Sequence, residues 1–352
     1  MAAAGVQSAA RGGGRAGALK VAVLSGGRSS EHDVSLSSGR AVREGLLAAG
    51  HEVVQVQVGR DGAWRRDGEG EPLSVTPGAG LLGMDVAFPV LHGRFGEDGT
   101  VQGLLEMLDV AYVGADVASS ALCMDKVLFK ELMAAAGTVP QVDYVDVGES
   151  ALSGAGRQEL LERVMALGLP AFVKPSHMGS SVGIVKVTAE DGLVAAIESA
   201  FSYDARVIVE AAASGVEVEC AVLGSAATGR MQASTPGEIG FDSEFYDFEA
   251  KYEPGGMELL IPARISERAA ARVRELALEA FARAGCDGLA RVDFFVDGEQ
   301  VLLNELNTMP GFTPTSVYAK LMEASGMVYP ELVDRLCRLG IERHAGQARR
   351  AF

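Results

Sequence analysis

The segment VLLNELNTMPGF, residues 301–312, begins as an apolar strand and ends at a Pro-Gly pair. Residues two apart in a strand point to the same face, so a regular strand places Leu303, Glu305 and Asn307 together. A buried, unpaired carboxylate is costly and normally finds a cation, a metal or a proton. The segment therefore has two interpretations: a solvated polar face, or a strand that ends at a functional site.

A second carboxylate lies on the preceding strand, in the segment RVDFF at 291–295, where alternation puts Arg291 and Asp293 on one face. Two carboxylates and an amide oxygen suit Mg²⁺, a hard cation that takes oxygen ligands. Asp293, Glu305 and Asn307 are therefore candidate metal ligands.

This metal site depends on the register of the two strands. A two-residue turn at Asp297-Gly298 would pair residue 293 with residue 302 and place Glu305 on the opposite face. The sequence therefore predicts an odd loop at 296–299, or a bulge, that pairs residue 293 with 301 or 303.

Composition limits the class of protein. The 352 residues carry a formal charge of -16, and 48% of them are hydrophobic. An acidic chain of this kind is repelled by phosphate backbones and anionic membrane surfaces, so we expect neither nucleic-acid binding nor a polybasic membrane anchor. The four cysteines are far apart and no apolar run reaches the ~18 residues of a membrane span, which favours free core thiols and a cytoplasmic protein.

The order of patterns along the chain predicts α/β domains. Residues 19–58 read as strand, Gly26-Gly27 turn, helix (with Val34, Ala41, Leu46 and Leu47 apolar) and strand, which is typical of a parallel sheet. A strand at 84–93 and helices at 100–110 and 119–137 follow. From about 140 the pattern restarts with strands around a glycine-rich loop at 169–187 and strands at 206–211 and 215–224, followed by a helix at 266–284 begun by Ser266 and two strands at 289–307. Residues 1–18 are expected to be a disordered tail, and the irregular stretch 236–256 either a functional lid or disordered.

Two glycine-rich motifs lie in the first third of the chain. SGGRSSEHDVS, residues 25–35, follows a strand but contains neither a dinucleotide fingerprint nor a P-loop. Glu31 near the start of a helix is favoured by the helix dipole, so it is either a capping residue or a ligand contact. HGRFGEDG, residues 92–99, follows a strand where α/β proteins bind ligands, and His92 is either a site residue or a surface histidine.

Two further motifs are typical of a nucleotide site. KPSHMGSSVG, residues 174–183, offers backbone N–H groups, hydroxyls and the Lys174 cation to a triphosphate, although a plain hairpin with a flexible tip has the same pattern. Lys126 is a second candidate cation or a solvated lysine. Glu210 and Glu217 flank a glycine turn and offer carboxylates to an adenosine.

Seven segments together identify a family. GGRSSEHDVS, HGRFGEDGTVQG, MDK, VKPSHMGSSVG, EFYDFEAKY, RVDFF and NELNTMPGFTPTS occur in that order between about residues 20 and 340. The chain resembles the D-alanine–D-alanine ligases of the ATP-grasp superfamily. The resemblance implies an α/β (α+β) ATP-grasp fold with three domains, at 19–124, 125–212 and 213–345, ATP between the last two, and a lid at about 236–256.

The resemblance also implies the reaction. ATP phosphorylates the carboxylate of one D-alanine, the amine of a second D-alanine attacks the acyl phosphate, and the dipeptide enters peptidoglycan synthesis. The implied cofactors are ATP and two Mg²⁺ ions, for which Mn²⁺ substitutes, and the expected assembly is a homodimer.

The resemblance assigns residues to each role. For D-alanine these are Glu31 at the first ammonium, Ser180 and Tyr252 linked to it, Arg291 and the Gly311 N–H as oxyanion hole, and Ser316 with His92 at the second subsite. The ATP contacts are Lys126, Lys174, Ser180, Ser181, Glu210, Ala213, Glu217, Lys251 and Asn304, and the metal ligands are Asp293, Glu305 and Asn307.

The chain departs from the family pattern at Ala319, where relatives often carry proline, and in the small side chains after Glu210. Two alternatives stay open: another ATP-grasp carboxylate–amine ligase, such as one that takes D-serine, and a non-catalytic nucleotide-binding module. The module would be expected to lack Arg291 or a metal ligand, and the chain has them all.

Overall fold

The computed structural model describes residues 17–152, 156–241 and 257–349. Most of the predicted tail and residues 242–256 of the predicted lid, with Lys251 and Tyr252, lie outside the described residues.

The first sheet contains five strands in the order β3-β2-β1-β4-β5. These are β1 (Lys20–Gly26), β2 (Glu52–Val58), β3 (Trp64–Arg66), β4 (Val86–Pro89) and β5 (Ala111–Tyr112), with the helices α1 (His32–Ala48) and α2 (Thr100–Met107). All pairs are parallel except β2 with β3, which confirms the predicted parallel sheet. The buried face of α1 contains Val42 and Leu46, whereas Leu47, another of its apolar residues, is 46% exposed.

The helix predicted at 119–137 is two helices, α3 (Val117–Met124) and α4 (Lys126–Ala136). Asp125 between them has an extended backbone, and its side chain accepts hydrogen bonds from the backbone N–H groups of Val127 and Leu128. An aspartate that caps a helix in this way ends the preceding one. The continuous apolar pattern of the segment does not reveal this break.

The second sheet is antiparallel, in the order β6-β9-β7-β8. Its strands are β6 (Tyr144–Gly148), β7 (Ala171–Pro175), β8 (Val185–Val187) and β9 (Arg206–Ala211), and it is accompanied by α5 (Arg157–Met165) and α6 (Leu193–Phe201). Thirteen buried residues between 145 and 209 form a core of its own. The predicted glycine-rich loop between two strands is confirmed at 176–184.

The third sheet is antiparallel, with the path β13-β12-β10-β14-β15 and β11 paired to β10. Its strands are β10 (Val216–Ser225), β11 (Arg230–Ala233), β12 (Gly237–Phe241), β13 (Met257–Leu260), β14 (Asp287–Asp297) and β15 (Gln300–Asn307). The described residues of this part of the chain also form the helices α7 (Glu267–Arg283), α8 (Val317–Ala324) and α9 (Tyr329–Ala348). Ser266 caps α7 by accepting from the Ala269 N–H, as the sequence predicts.

The register of β14 and β15 satisfies the condition for a shared face through a bulge, which is one of the two predicted routes. The turn is a two-residue one at Gly298-Glu299, not an odd loop, and Asp297 pairs with Gln300. A bulge at Asn304 then shifts the register, so that Asp293 pairs with Glu305 and not with 301 or 303.

The same bulge corrects a second expectation. Leu303 is buried with Leu306 in the core on one side of the sheet, whereas Glu305 and Asn307 line the opposite side. Leu303 therefore does not share a face with the two polar residues, because the extra residue reverses the alternation between them.

Among the described residues, three cores lie outside the second sheet. One lies between the third sheet and α7, a second combines β1 and β4 of the first sheet with α8 and α9, and a third packs the other face of the first sheet against α2. Of the four free cysteines, three are buried, in agreement with core thiols. Among the described residues, none of the helices is long and apolar enough to cross a membrane.

Candidate active site

A cavity of about 300 Å³ opens where the ends of the three sheets approach each other. Eight of the predicted site residues line it: Glu31, His92, Ser180, Arg291, Glu305, Asn307, Gly311 and Ser316. A smaller adjoining cavity, lined by Lys126, Met178 and Thr308 among others, shares Glu305 and Asn307 with it.

A row of three carboxylates crosses the third sheet at the cavity wall, because Glu219 on β10 pairs with Asp293 and Asp293 pairs with Glu305. The Arg291 guanidinium donates to both Asp293 oxygens at 2.8 and 2.7 Å, and its Nε lies 2.9 Å from the Glu219 carboxylate. Burial alone would lower the pKa of Arg291, but Asp293 and Glu219 raise it well above its usual value. Arg291 is therefore a fixed, permanently charged cation at the cavity.

The donor set fits a divalent metal. Asn307 Nδ2 donates to Asp293 Oδ2 at 3.0 Å, and both Asp293 oxygens accept from Arg291, so Asp293 would exchange some of these hydrogen bonds for a bond to a metal. Among the described residues no three Asp, Glu, His or Cys side chains converge as a metal site. A metal here therefore needs the Asn307 oxygen together with Glu305 and Asp293, an all-oxygen set of the kind that hard cations prefer.

Glu31 connects the first sheet to the glycine-rich loop. It is the N-cap residue of α1, as the capping interpretation expects, but its side chain makes no capping hydrogen bond. The Ser180 hydroxyl donates to the Glu31 carboxylate instead. Ser180 and the neighbouring Ser181 have φ values of 51° and 60°, a region that non-glycine residues adopt only when their surroundings fix it.

His92 is buried at 4% exposure, so the surface interpretation of this histidine is wrong. Its Nδ1 lies 3.2 Å from the Met309 carbonyl, and its Nε2 lies 3.0 Å from the Ser38 hydroxyl. Burial lowers the pKa of His92, although Glu31 opposes the shift. The neutral ring donates from Nδ1 to the carbonyl and accepts at Nε2 from the hydroxyl, and in this way it fixes residue 309 against the first sheet.

Three functional candidates were missed from the sequence: Glu97, Glu219 and Lys130. Glu97 lines both cavities and accepts a hydrogen bond of 2.6 Å from the Gly93 N–H. Burial, with the nearby Glu31 carboxylate, raises the pKa of Glu97 to about 8. Its place in HGRFGEDG was the available signal, whereas Glu219 lies in a strand with ordinary alternation and Lys130 in an ordinary amphipathic helix.

Lys130, Lys174 and Glu210 form a buried triad. Glu210 bonds to Lys174 at 2.5 Å and to Lys130 at 3.2 Å. Burial would raise the pKa of Glu210, but the two lysines lower it to about 2. The carboxylate that was predicted to contact adenosine is thus bonded to two lysines. Burial lowers the pKa of Lys130, whereas at Lys174 burial is outweighed by Glu210, which raises the pKa.

The remaining predicted residues occupy different positions. Ser316 precedes α8, and its hydroxyl accepts from the Thr313 N–H at 3.0 Å. Lys126 donates to the Met178 carbonyl at 2.6 Å. Other predicted ATP contacts are not among the described residues that line the two cavities: Lys174, Ser181, Glu210, Ala213, Glu217 and Asn304.

The site combines two antiparallel sheets, lysines beside a serine- and glycine-rich loop, and an acidic strand pair that carries an arginine. Together these features define an ATP-grasp ligase. Models of the "D-ala D-ala ligase N-terminus" match residues 20–81 and 69–115, and that of the "D-ala D-ala ligase C-terminus" matches residues 132–338. The chain belongs to the D-alanine–D-alanine ligase family.

Similar proteins cover nearly the whole chain. It is 42% identical to a D-alanine–D-alanine ligase of Mycobacterium ulcerans over 93% of this chain and 97% of the relative. It is 41% identical to D-alanine–D-alanine ligase A of Chromobacterium violaceum, over 93% and 96%. The solved D-alanine–D-alanine ligase of Coxiella burnetii has a TM-score of 0.82 at 36% identity, over 95% and 97%. The VanG D-Ala:D-Ser ligase of Enterococcus faecalis has a TM-score of 0.81 at 34% identity, over 92% and 100%.

Proposed function

We propose that the chain joins two D-alanine molecules to D-alanyl-D-alanine with consumption of ATP, in the supply of peptidoglycan precursors. The observation that carries this proposal is the convergence of Glu31, Arg291 and Ser316 in one cavity. These residues offer a carboxylate for an ammonium group, a fixed cation for a developing oxyanion, and a hydroxyl for a carboxylate. A cavity of about 300 Å³ also has the size for two small amino acids.

The order of events follows from these groups. Glu31 holds the ammonium of the first D-alanine, whose carboxylate takes the γ-phosphoryl group of ATP to form an acyl phosphate with release of ADP. The amine of the second D-alanine attacks the acyl carbon, and Arg291 and the Gly311 N–H stabilise the oxyanion that forms there. The amine then loses a proton, phosphate leaves, and an amide bond remains.

ATP and a divalent metal serve this reaction. We infer that the metal is Mg²⁺, as two ions, with Mn²⁺ able to replace it. It would be held by Asp293, Glu305 and Asn307, where it neutralises phosphate charge. Lys126 and Lys174 lie near the glycine-rich loop and supply further positive charge to the triphosphate.

Further roles belong to the same proposal. Ser180, Ser181, Glu210, Ala213, Glu217 and Asn304 would contact ATP, and His92 would support the second D-alanine subsite. The segment 236–256, with Lys251 and Tyr252, would be a lid that protects the acyl phosphate from water. We also infer a cytoplasmic homodimer and domains at 19–124, 125–212 and 213–345.

The test is an assay with ATP, Mg²⁺ and D-alanine, in which phosphate release and the dipeptide mass are followed together. We expect stoichiometric phosphate and D-alanyl-D-alanine. Turnover with D-serine or an unrelated amino acid, without turnover on D-alanine alone, would overturn the substrate assignment.

A matched pair of variants tests the metal ligand. We expect Glu305→Gln to lose at least about a hundredfold in rate, because a ligand to the phosphate-bound metal loses its charge. Glu299→Gln, in the exposed turn of the same hairpin, is the control and should keep the full rate. Near-normal turnover of Glu305→Gln at ordinary Mg²⁺ would refute the assigned role.

A further inference from the structure

His177 lies at the start of the glycine-rich loop, and both of its ring nitrogens face a carboxylate. Its Nε2 is 3.1 Å from Asp125 and its Nδ1 is 2.9 Å from Asp204. Its backbone N–H also donates to Asp204 at 2.6 Å. A neutral imidazole has one N–H and would turn a lone pair toward one of these carboxylates, so the geometry requires the doubly protonated ring.

Both carboxylates belong to well-fixed positions of the fold. Asp125 is the residue between α3 and α4, where it caps α4 and accepts from the Ser176 hydroxyl at 2.7 Å. Asp204 lies between α6 and β9, and its side chain accepts from the Arg206 N–H at 3.2 Å. His177 therefore joins the α3–α4 junction to the start of β9 in the second sheet.

The loop that follows needs such an anchor. Three residues after His177 the chain enters two successive left-handed residues, Ser180 and Ser181, a conformation that non-glycine residues keep only when their surroundings fix it. Ser180 then donates to Glu31 on the far side of the cavity. The Met178 carbonyl, next to His177, accepts from Lys126 at 2.6 Å.

We propose that His177, as the imidazolium cation, is a positioning residue that fixes the start of the loop carrying Ser180 against the α3–α4 junction. It acts through the loop and touches neither substrate. The inference rests on the proposed function, since the loop is the part that would receive the triphosphate.

The charged surroundings agree with this assignment. The Arg206 guanidinium also lies 3.3 Å from Asp125, and it is itself bonded to Asp146 at 2.9 Å and lies 3.6 Å from Glu131. Hydrogen bonding to Asp125, against some burial, raises the pKa of His177 to about 9. The contribution of this contact is therefore complete below pH 6.5 and is lost as the pH rises through about 9.

The first experiment needs no substrate. The chain has five histidines, so imidazole resonances of histidine-labelled protein can be followed singly, with His177 assigned from its loss in His177→Gln. We expect this ring to keep both protons to pH 8 and to titrate near 9. Titration near the ordinary histidine value of about 6.5 would overturn the proposal, whatever the activity of the protein.

The second experiment measures ATP use. We expect His177→Gln to raise the KM for ATP about tenfold with a smaller change in kcat, because the charge-assisted contacts that hold the start of the loop to Asp125 and Asp204 are lost. His177→Arg, which can donate to both carboxylates at every working pH, should restore the KM and remove the rise in KM that the wild type shows through pH 9. His344→Gln is the matched control, since His344 pairs with one carboxylate, Asp109, at 3.1 Å on a distant helix.

The outcomes separate the possible roles of His177. If His177→Gln lowers the melting temperature but leaves the KM unchanged, the residue is only structural and the proposal fails. Calorimetric binding of Mg-ATP without D-alanine gives the same comparison if the dipeptide assay itself fails. An unchanged affinity in that measurement also overturns the proposal.

Discussion

Arg291 is the residue on which the chemistry of the cavity and the stability of its wall both depend. It separates two buried carboxylates, Glu219 and Asp293, that would otherwise repel each other across neighbouring strands. A buried charge that loses its partner destabilises a protein by about 3 to 5 kcal/mol, whereas the intact pair adds little. The main effect of the two carboxylates is therefore to fix the orientation of the Arg291 guanidinium. The oxyanion role that we propose for Arg291 needs such a guanidinium, because its donors must keep their direction.

Arg291→Met is expected to lose about 10²–10³ in kcat with D-alanine, because one donor to the oxyanion is removed. It should also lower the free energy of unfolding by about 3 kcal/mol or more, measured by denaturant titration. The control is Arg65→Met, which breaks a bidentate pair with the exposed Asp61 and should leave the rate unchanged. Arg291→Lys keeps the charge and the fold, so a full rate in this variant would contradict a role for the guanidinium geometry.

Residue types, spacing and the resemblance to a known family together predicted much of the cavity wall, and the resemblance alone supplied Ser180, Gly311 and Ser316. Eight predicted residues meet there because motifs after parallel strands and at the end of a hairpin converge in this fold. Glu97 and Glu219 could not be chosen in the same way, because their role comes from neighbours far away in sequence: burial near Glu31 for Glu97, and strand pairing with Asp293 for Glu219. The state of His92 also depends on a distant carbonyl, that of Met309.

At the scale of elements, the hairpin of β14 and β15 shows that the local sequence pattern does not determine the register of two paired strands. The sequence predicts that Asp293 and Glu305 share a face only if the register shifts, and the structure meets that condition by a bulge within the strand. Nothing in the segment LLNEL distinguishes a bulge from an odd turn, since both restore the parity. The helix break at Asp125 also depends on a residue far away in the sequence. The carbonyl and hydroxyl groups of Ser176, about fifty residues away, make hydrogen bonds to the Lys126 N–H and to the Asp125 carboxylate.

Two single-residue deletions in β15 test the bulge. Deleting Asn304 removes the extra residue but keeps Leu303 and Leu306 in the core and Glu305 on the cavity side. We expect this variant to fold, with a melting temperature within a few degrees of the wild type. It should lose most of its activity, because the strand loses the local bend that directs Glu305 and Asn307 into the cavity.

Deleting Leu303 instead moves Asn304 into the core opposite Phe294, and the polar group it buries should prevent stable folding. Asn304→Ala keeps the backbone bulge and measures the contribution of the Asn304 side chain alone. Equal stability of the two deletions, by thermal unfolding followed with circular dichroism, would contradict this account of the strand.

At the scale of the whole molecule, the three sheets do not have three separate cores. Buried residues of β1 and β4, such as Val23 and Phe88, belong to one cluster with Phe312, Tyr318 and residues of α9. The second sheet, in contrast, has a cluster drawn only from residues 145–209. The first sheet therefore depends on the last forty residues of the chain for the cover of one face.

This arrangement predicts how fragments behave. Residues 17–124 expressed alone should be insoluble or lack a cooperative unfolding transition, because the face of β1 and β4 that α8 and α9 cover is exposed. Co-expression with residues 125–352 should restore a soluble complex that co-purifies. A stable, monomeric 17–124 fragment with a cooperative thermal transition would show that the shared core is dispensable.

The shared core also determines which residues of the cavity wall belong to one packed body. Glu31, His92 and Arg291 all belong to the body that the first and third sheets build together, whereas Ser180 belongs to the second sheet. Ser180 and Glu31 therefore belong to different packed bodies, and the hydrogen bond between them joins the two bodies across the cavity.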